Sequence, residues 1–443
     1  ILLNDKVVPM SRLLVPLLLL ILSQVGCSVE SEIEATAAAP TDQNATLMAQ
    51  AQAIHASALT LDAHADIEIP GKPSMYVGSD GLSKVAPAKM RAGGLNAVVM
   101  SLAVGPMPRN AEGYAAAKAL AQTKLAAVTA LAANPDNNAT ITKSTDELTA
   151  AHAEGKSALI LGFQNALILG TDVTGIDRLY DVGVRVFALT HMGHNDFADS
   201  SRTLFDGDTG TREPDAEHGG LSALGKAAVV KINALGGIVD ISQLSSQAAL
   251  QAIDLSAAPV IASHSNVRAL TSVSRNLSDP EIDRIGETGG VIHIAPFRGY
   301  LFDSSAPNMD KNIRAVRKES GIEEDYLYPF ELYWEIDDLA LKRDFLTRTN
   351  ALLGPIGLDE MLDHIDYVVE RIGVDHVGIG TDFNHGSGII GFDDASEALN
   401  VTLALLKRGY SKDDIIKIWG GNFIRVWRAA EKASNARVLE SQG

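Results

Sequence analysis

The chain has 443 residues, of which 46% are hydrophobic and 21% charged, and its formal net charge at pH 7 is -18. This is the composition of a globular protein with enough apolar residues for a large core, as one barrel-sized domain or two smaller ones. A strongly acidic chain cannot neutralise a phosphate backbone, which argues against nucleic acid as a partner.

Residues 1–27 have the pattern of an export signal. Arg12 supplies a short basic region, and the apolar run 13–22 follows it. About ten apolar residues are too few to span a bilayer of roughly 30 Å as a helix, which favours a signal peptide over a membrane-spanning segment. The run ends near Cys27, the one cysteine of the chain, in a pattern that resembles a bacterial lipoprotein signal, although Gln24 stands where leucine is preferred. We therefore predict an exported bacterial protein, periplasmic or anchored to the membrane through a lipid on Cys27.

Short apolar or β-branched runs alternate with amphipathic helical segments over most of the remaining chain. Residues 28–47 are small, polar and acidic and predict a flexible leader, whereas 48–435 predict one folded domain. The predicted strands span 59–64, 95–104, 157–163, 184–191, 236–242, 259–264, 289–295 and 376–383. The predicted helices span 112–133, 146–154, 174–182, 222–235, 246–254, 279–288 and 357–373. Eight strands in alternation with helices predict an α/β fold, a (β/α)8 TIM barrel, rather than a doubly wound sheet, because no Gly-x-Gly-x-x-Gly motif follows the first strand.

An inserted segment, residues 299–356, interrupts the alternation between the seventh and eighth strands. It is charged, and it carries a group of aromatic residues: Tyr326, Tyr328, Phe330, Tyr333 and Trp334. An insertion at the carboxyl-terminal mouth of a barrel can form a lid or a subunit contact, and simple helical decoration is the alternative.

Ionisable residues stand at the carboxyl ends of several predicted strands, on the face that carries the active site in barrels. The first strand ends in His64 and Asp66, whose i, i+2 spacing directs both side chains to one side of an extended backbone. The sixth ends in His264 and the eighth in Asp382. Imidazole and carboxylate groups together suit zinc, so these residues predict a metal site.

Three of the strand-end residues have side chains suited to catalysis or substrate binding. Asp382 is the natural general base, because a carboxylate beside a metal can take the proton of a water whose pKa the metal lowers towards about 7. His191, after the fourth strand, can donate to a developing oxyanion. Arg275 can hold a substrate carboxylate through a bidentate contact.

Taken together, these motifs resemble the membrane (renal) dipeptidase family, peptidase family M19 of the metal-dependent amidohydrolase superfamily. The matching segments are LDAHAD (61–66), KMRAGG (89–94), LTHMGHNDFADS (189–200), GGLSALGKAAVVKINALGGIVDIS (219–242), APVIASHSN (258–266), VSRN (273–276) and VGIGTDF (377–383). The resemblance implies a barrel that hydrolyses dipeptides, tolerates a D residue at the C-terminal position and usually holds two zinc ions. It also implies roles for the matching residues: His64 and Asp66 for the first metal, His264 for the second, His191 and Arg275 for the substrate, and Asp382 for catalysis.

Two positions of the metal centre depart from the family pattern. The family bridges its metals with a Glu after the third strand, where this chain has Gln164, and it places a His after the fifth strand, where this chain has Gln243. A neutral amide is a weak ligand for zinc compared with carboxylate or imidazole. We therefore predict one zinc ion per chain, at His64 and Asp66 and next to Asp382.

Three functions remain open from the sequence. The first is a metal-dependent dipeptidase that cleaves L,L and also L,D dipeptides by a zinc-activated water with Asp382 as the base. The second is a non-peptidase enzyme that tailors an exported, peptide-derived metabolite, with the altered ligands marking an altered reaction. The third is an inactive, dipeptidase-like binding protein. The family is often dimeric, which by analogy implies a homodimer.

Overall fold

The computed structural model describes residues 40–72, 74–206, 211–321 and 338–442. The predicted signal segment with Cys27 and the aromatic group of the insertion lie outside these ranges. Within them, no helix combines the length and the apolar character that crossing a membrane requires.

The regular elements of the described residues alternate along the chain as predicted. The strands are β1 (Leu61–Asp66), β2 (Ala97–Ala103), β3 (Ala139–Ile141), β4 (Ser157–Gln164), β5 (Val184–Ala188), β6 (Phe205–Asp206), β7 (Thr211–Arg212), β8 (Ile238–Asp240), β9 (Ile261–Ala262), β10 (Val291–Ile294) and β11 (Val377–Ile379). The helices are α1 (Pro40–Ser57), α2 (Pro87–Gly93), α3 (Ala111–Ala133), α4 (Thr145–Ala153), α5 (Gly175–Val182), α6 (Ala223–Leu235), α7 (Ser246–Leu255), α8 (Asp279–Glu287), α9 (Arg298–Leu301), α10 (Met309–Glu319), α11 (Leu339–Leu353), α12 (Leu358–Ile372), α13 (Ala398–Arg408), α14 (Lys412–Ile416) and α15 (Asn422–Gln442).

Eight parallel strands form the barrel wall in the order β1-β2-β4-β5-β8-β9-β10-β11, and β3 pairs with β4 in addition. The barrel closes between β1 and the residues after β11. There Ala65 forms a parallel bridge with Phe383, and Asp66 N donates to Phe383 O at 2.8 Å. The predicted (β/α)8 barrel is therefore confirmed, and each predicted strand overlaps a barrel strand. The prediction did not include β3 or the β6–β7 hairpin because their residues (ATI, FD and TR) lie in no apolar run, unlike those of the equally short β8, β9 and β11.

Apolar side chains fill the barrel interior near the amino ends of the strands. Leu61, Val99 and Ile160 belong to one buried cluster with Phe423 and Trp427 of α15. Because alternate residues of these strands face the surrounding helices and are also buried, the strands are apolar on both faces. The apolar cluster occupies the barrel interior near the amino ends of the strands, so the polar side chains of a site have room in the interior near the carboxyl ends.

Helix α1 begins within the segment predicted as a flexible leader. Residues 40–47 are helical, which corrects that prediction for these residues, while 28–39 lie outside the described ranges. Pro40 at the first helical turn and the Ala, Gln, Leu and Met residues that follow favour a helix. Residues Asn44–Gly443 form one compact unit that contains the barrel, and Ile1–Gln43 are a separate unit of which only 40–43 are described.

The predicted insertion, 299–356, contributes α10 and α11 and most of α9 to the described structure. Leu339, Lys342 and Arg343 of α11 line a cavity of about 380 Å³ that extends to Tyr76. The described part of the insertion therefore shapes the surface near β1, and its role as a lid remains a prediction.

His364 of α12 is a buried imidazole whose Nδ1 accepts a hydrogen bond from Val267 N at 3.0 Å. Burial lowers its pKa to about 3. In the unfolded chain this histidine has a pKa of about 6.5 and binds a proton below that pH, whereas in the folded chain it stays neutral until about pH 3. The free energy of unfolding therefore falls as the pH falls below ~6.5. His364→Asn keeps an acceptor for Val267 N and removes the titration.

Urea unfolding at pH 6.5 and pH 5 measures this contribution. We expect the wild type to lose about 2 kcal/mol more than His364→Asn over this interval, at about 1.4 kcal/mol per pH unit. The interval from pH 8 to pH 9 is the control, because His364 is neutral there in both the folded and the unfolded chain and the two proteins should change in parallel. Equal losses in wild type and His364→Asn would contradict the prediction.

Candidate metal centre

An irregularity in β1 aims two of the predicted ligands into the barrel. Relative to β2, strand β1 has one extra residue between Asp62 and Ala65. An extra residue of this kind shifts the phase of the alternating side chains. His64 and Asp66 thereby face the same interior as Leu61, although strict alternation from Leu61 would turn them towards the helices.

Three of the predicted ligands, His64, His264 and Asp382, converge at the carboxyl ends of the strands, and the fourth, Asp66, lies next to His64. His64 Nε2 lies 4.0 Å from Asp66 Oδ1 and 4.0 Å from Asp382 Oδ1. Donor atoms of His64, His264 and Asp382 all lie within 4.8 Å of one another. His64 Nε2 and Asp66 Oδ1 are buried and accept no hydrogen bond from any described residue. Tetrahedral zinc ligands stand about 3.4 Å apart, so modest side-chain movements fit this set to one divalent ion.

Asp382 is placed by the contacts of the two residues before it. Thr381 donates to buried Asp62 through its N at 2.7 Å and its Oγ1 at 2.6 Å. Burial raises the pKa of Asp62 to about 7. A Cβ on Gly380 would lie 1.7 Å from Ser263 O, so only glycine allows this segment to approach the end of β9. The segment after β11 is thus held tightly against both β1 and the residues that follow β9.

The two carboxylates of the cluster differ in their affinity for a proton. Burial raises the pKa of Asp382 to about 6, although the positive charges of His385 and Arg275 act in the opposite direction. Burial also opposes ionisation of Asp66, but Lys124 and His385 outweigh it and hold the pKa of Asp66 well below its usual range. Asp382 is therefore the carboxylate suited to exchange protons, and Asp66 is a permanent negative charge.

The residues around His264 do not fit a second metal ion. The carboxamide nitrogens of Gln164 and Gln243 each lie 3.4 Å from His264 Nε2. These amides carry no charge, and an amide nitrogen has no lone pair to offer a metal. The place where a second ion would need a carboxylate and an imidazole is lined by two neutral amides, so the centre fits one ion.

The two predicted substrate-binding residues lie beside this cluster. Burial lowers the pKa of His191 well below its usual value, so the ring is neutral. Arg275 is buried, its Nη2 donates to His264 O at 2.9 Å, and its guanidinium lies 5.1 Å from the centre of the Tyr300 ring. Its charge also acts on Asp382 and His191, so a cation and a neutral imidazole both lie close to Asp382 or to one another.

His385 belongs to the same site, although the strand-end pattern did not predict it. Its Nδ1 lies 2.8 Å from Asp66 Oδ2, and its ring contacts those of His191 and Tyr76 with centres 5.2 and 5.8 Å apart. Burial alone would lower the pKa of His385, but Asp66 raises it above its usual value. The available signal was its position three residues after Asp382 at the same strand end.

The sequence profile of the membrane dipeptidases, peptidase family M19, matches residues 48–441. The chain belongs to the membrane dipeptidase family. The family resemblance of the strand-end motifs is thereby confirmed.

Solved and curated relatives agree with this assignment. This membrane dipeptidase family member is 34% identical to the probable dipeptidase PvdM from Pseudomonas aeruginosa, with a TM-score of 0.76 over 88% of this chain and 99% of that chain. A metallopeptidase from Rhodobacter sphaeroides, liganded with a phosphinate mimic of the dipeptide L-Ala-D-Ala, has the same fold (TM-score 0.64, 20% identity, 84% and 99% covered). Dipeptidase aclJ from Aspergillus oryzae is 30% identical over 276 residues, 62% of this chain and 52% of that protein. The chain thus aligns with about half the length of the curated relatives it matches.

Proposed function

We propose that this chain is a dipeptidase that holds one zinc ion and hydrolyses the amide bond of a dipeptide. The observation that carries the proposal is the buried position of His64 Nε2, which lies 4.0 Å from Asp66 Oδ1 and 4.0 Å from Asp382 Oδ1. Two of these atoms receive no hydrogen bond from the described residues, as expected of atoms that face an ion. The family assignment supports the same activity.

Asp382 performs the proton transfers of the proposed reaction. When bound, a zinc ion supplies Lewis acidity to the substrate carbonyl and makes a nearby water easier to deprotonate. Asp382 takes a proton from the attacking water while the water oxygen forms a bond to the carbonyl carbon. It then returns that proton to the amide nitrogen as the C–N bond breaks, so the products are two amino acids.

His191 and Arg275 bind the substrate through groups that every dipeptide has. A neutral His191 can donate an N–H to the oxygen on which negative charge develops. Arg275 can pair with the terminal carboxylate. Because neither contact depends on a side chain, we propose that L,D dipeptides are cleaved as well as L,L dipeptides. The relative from Rhodobacter sphaeroides was solved with a mimic of an L,D dipeptide.

The enzyme is proposed to act outside the cytoplasm. The basic and apolar pattern of residues 1–27 and Cys27 at its end support export with a lipid anchor. Labelling of the full-length protein with a radioactive fatty acid, and its loss in Cys27→Ser, is the direct test of the anchor.

Zinc titration of metal-stripped protein tests the reaction and its metal together. Free amino acid release from a mixed pool of L,L and L,D dipeptides is expected to rise to a plateau at about one zinc ion per chain, because the described residues offer one cluster of His and Asp ligands. A plateau at two ions would contradict the single-ion site. Bound zinc without any release would exclude the dipeptidase and favour a tailoring or binding role, which product masses would then distinguish.

Arg275→Lys tests the carboxylate contact. We expect KM to rise by about 10- to 100-fold with a smaller change in kcat, because one charge-assisted hydrogen bond of about 1.5–3 kcal/mol is lost in ground and transition states alike. Steady-state kinetics on one dipeptide measure the change, and Arg284→Lys on the exposed face of α8 is the matched control. An unchanged KM would show that Arg275 does not bind the substrate.

A further inference from the structure

Ser263 lies between a buried carboxylate and the two histidines of the metal centre. Its Oγ is 2.5 Å from Asp240 Oδ2, 2.7 Å from His264 Nδ1 and 3.4 Å from His64 Nδ1. The rings of His64 and His264 are stacked with centres 3.9 Å apart. Asp240, Ser263 and His264 are each at most 1% exposed. A single hydroxyl therefore faces the Nδ1 atoms of both rings, away from solvent.

The hydrogen-bond geometry decides where the proton of this hydroxyl lies. Asp240 Oδ1 accepts from Ser242 N at 2.9 Å and Ser263 N at 3.0 Å, and Oδ2 faces Ser263 Oγ. Burial raises the pKa of Asp240, but these three donors favour its ionised form. A carboxylate can only accept and a serine has one proton. Ser263 therefore donates to Asp240 and turns its lone pairs towards the histidines.

The histidines supply the complementary protons. Because the proton of Ser263 is used for Asp240, its oxygen can bond to each Nδ1 only by accepting an N–H from the ring. A neutral ring with its proton on Nδ1 has its lone pair on Nε2. We propose that Ser263, oriented by Asp240, is a positioning residue that holds His64 and His264 as Nδ1–H tautomers, with both Nε2 lone pairs directed at the metal site. The inference rests on the metal site of the proposed function and is independent of the reaction carried out there.

The groups on the opposite side of the rings agree with this assignment. His64 Nε2 is buried and has no hydrogen-bond partner among the described residues, as a ligand atom facing an ion site would. The amide nitrogens of Gln164 and Gln243 face His264 Nε2, where donors suit an unprotonated nitrogen. In metal sites, outer partners of this kind fix the orientation and tautomer of ligating histidines.

Nitrogen-15 NMR of metal-free, histidine-labelled protein reads the tautomers directly, because protonated and unprotonated ring nitrogens resonate at well-separated frequencies. Spectra of His64→Gln and His264→Gln assign the two signals. We expect both rings as Nδ1–H tautomers in the wild type. Detection of His264 as the Nε2–H tautomer would overturn the proposal, whatever the activity.

Asp240→Asn should reverse the polarity of the chain of hydrogen bonds without changing its shape. The two backbone N–H groups at Oδ1 require the amide oxygen there, which places the NH2 group against Ser263 Oγ. The serine proton then turns to His264 Nδ1 and forces the Nε2–H tautomer. We expect zinc affinity, measured by competition with a chelating dye, to fall by about 10- to 100-fold together with the change in tautomer.

Ser263→Ala gives a second route to the same result, since it removes the acceptor and should leave a mixture of tautomers and weakened zinc binding. Ser265→Ala is the control, because Ser265 is equally buried but its Oγ lies 3.3 Å from Ser242 Oγ and contacts neither ring. Unchanged tautomers and zinc affinity in Asp240→Asn and Ser263→Ala would refute the positioning role. Predicted tautomers and zinc binding without dipeptide hydrolysis would instead refute the proposed function alone.

Discussion

Replacing Asp382 by Asn is expected to lower kcat by about 10²- to 10⁴-fold on any dipeptide that the wild type cleaves, because the amide cannot accept the proton of the attacking water. The fold should persist, since the backbone contacts that place residue 382 are unchanged: its N donates to His64 O at 2.8 Å. Zinc should still bind through His64, Asp66 and His264. Steady-state kinetics with a parallel measurement of bound zinc separate loss of the base from loss of the ion.

Asp375→Asn is the matched control for this variant. Asp375 precedes β11 at the amino end of the strand, opposite to Asp382, and its carboxylate is paired with Lys417 on the surface. Its replacement should leave kcat unchanged. If Asp382→Asn retained wild-type kcat with zinc bound, Asp382 would not be the base, and the proton transfers would have to be assigned to another group.

Replacing Gln164 by Glu and Gln243 by His in one chain is expected to raise the zinc content from one ion to two. The double variant supplies a carboxylate and an imidazole next to His264, whose Nε2 lies 3.4 Å from both amide nitrogens. Gln243 has a φ of 69°, in a region that histidine tolerates better than most residues, so the backbone does not oppose the change. Metal analysis after equilibration with zinc and gel filtration gives the stoichiometry.

Two variants serve as controls: one for the added negative charge, and one for the need for both new ligands together. Gln247→Glu adds a carboxylate on the exposed side of α7 and should leave the zinc content at one. Gln164→Glu alone should bind a second ion more weakly than the double variant, because the imidazole is missing. A double variant that still binds one ion would show that something besides these two amides prevents a binuclear centre.

The strand ends made the site largely predictable. Parallel strands of a barrel bring their carboxyl ends to one face, so His64, His264 and Asp382 could be placed together from hydrophobic runs alone. The eight long apolar runs identified the strands because both faces of a barrel strand are buried. The two-residue β6 and β7 offered no such pattern and escaped prediction.

The strand-end pattern did not predict the roles of Asp240 and Ser263, which position other side chains of the site. Asp240 was predicted only as part of an apolar strand, and Ser263 only as the residue before His264. Their importance comes from the 2.5 Å hydrogen bond that joins Ser263 to Asp240 of the neighbouring strand and so sets the direction of the 2.7 Å contact between Ser263 and His264. Such contacts depend on the register of one strand against the next, and register is set by packing of the whole barrel.

By itself, the amino-acid sequence determined the barrel, the family and the types of ligand at its mouth, because apolar periodicity and strand-end chemistry are local properties of the chain. It also predicted, through the family resemblance, that Gln164 and Gln243 stand where the family has a Glu and a His. Only the tertiary structure decided that an extra residue in β1 turns His64 and Asp66 inward, and that His385 folds back onto Asp66. These features depend on distances between segments far apart in sequence, which close packing alone sets to within fractions of an ångström.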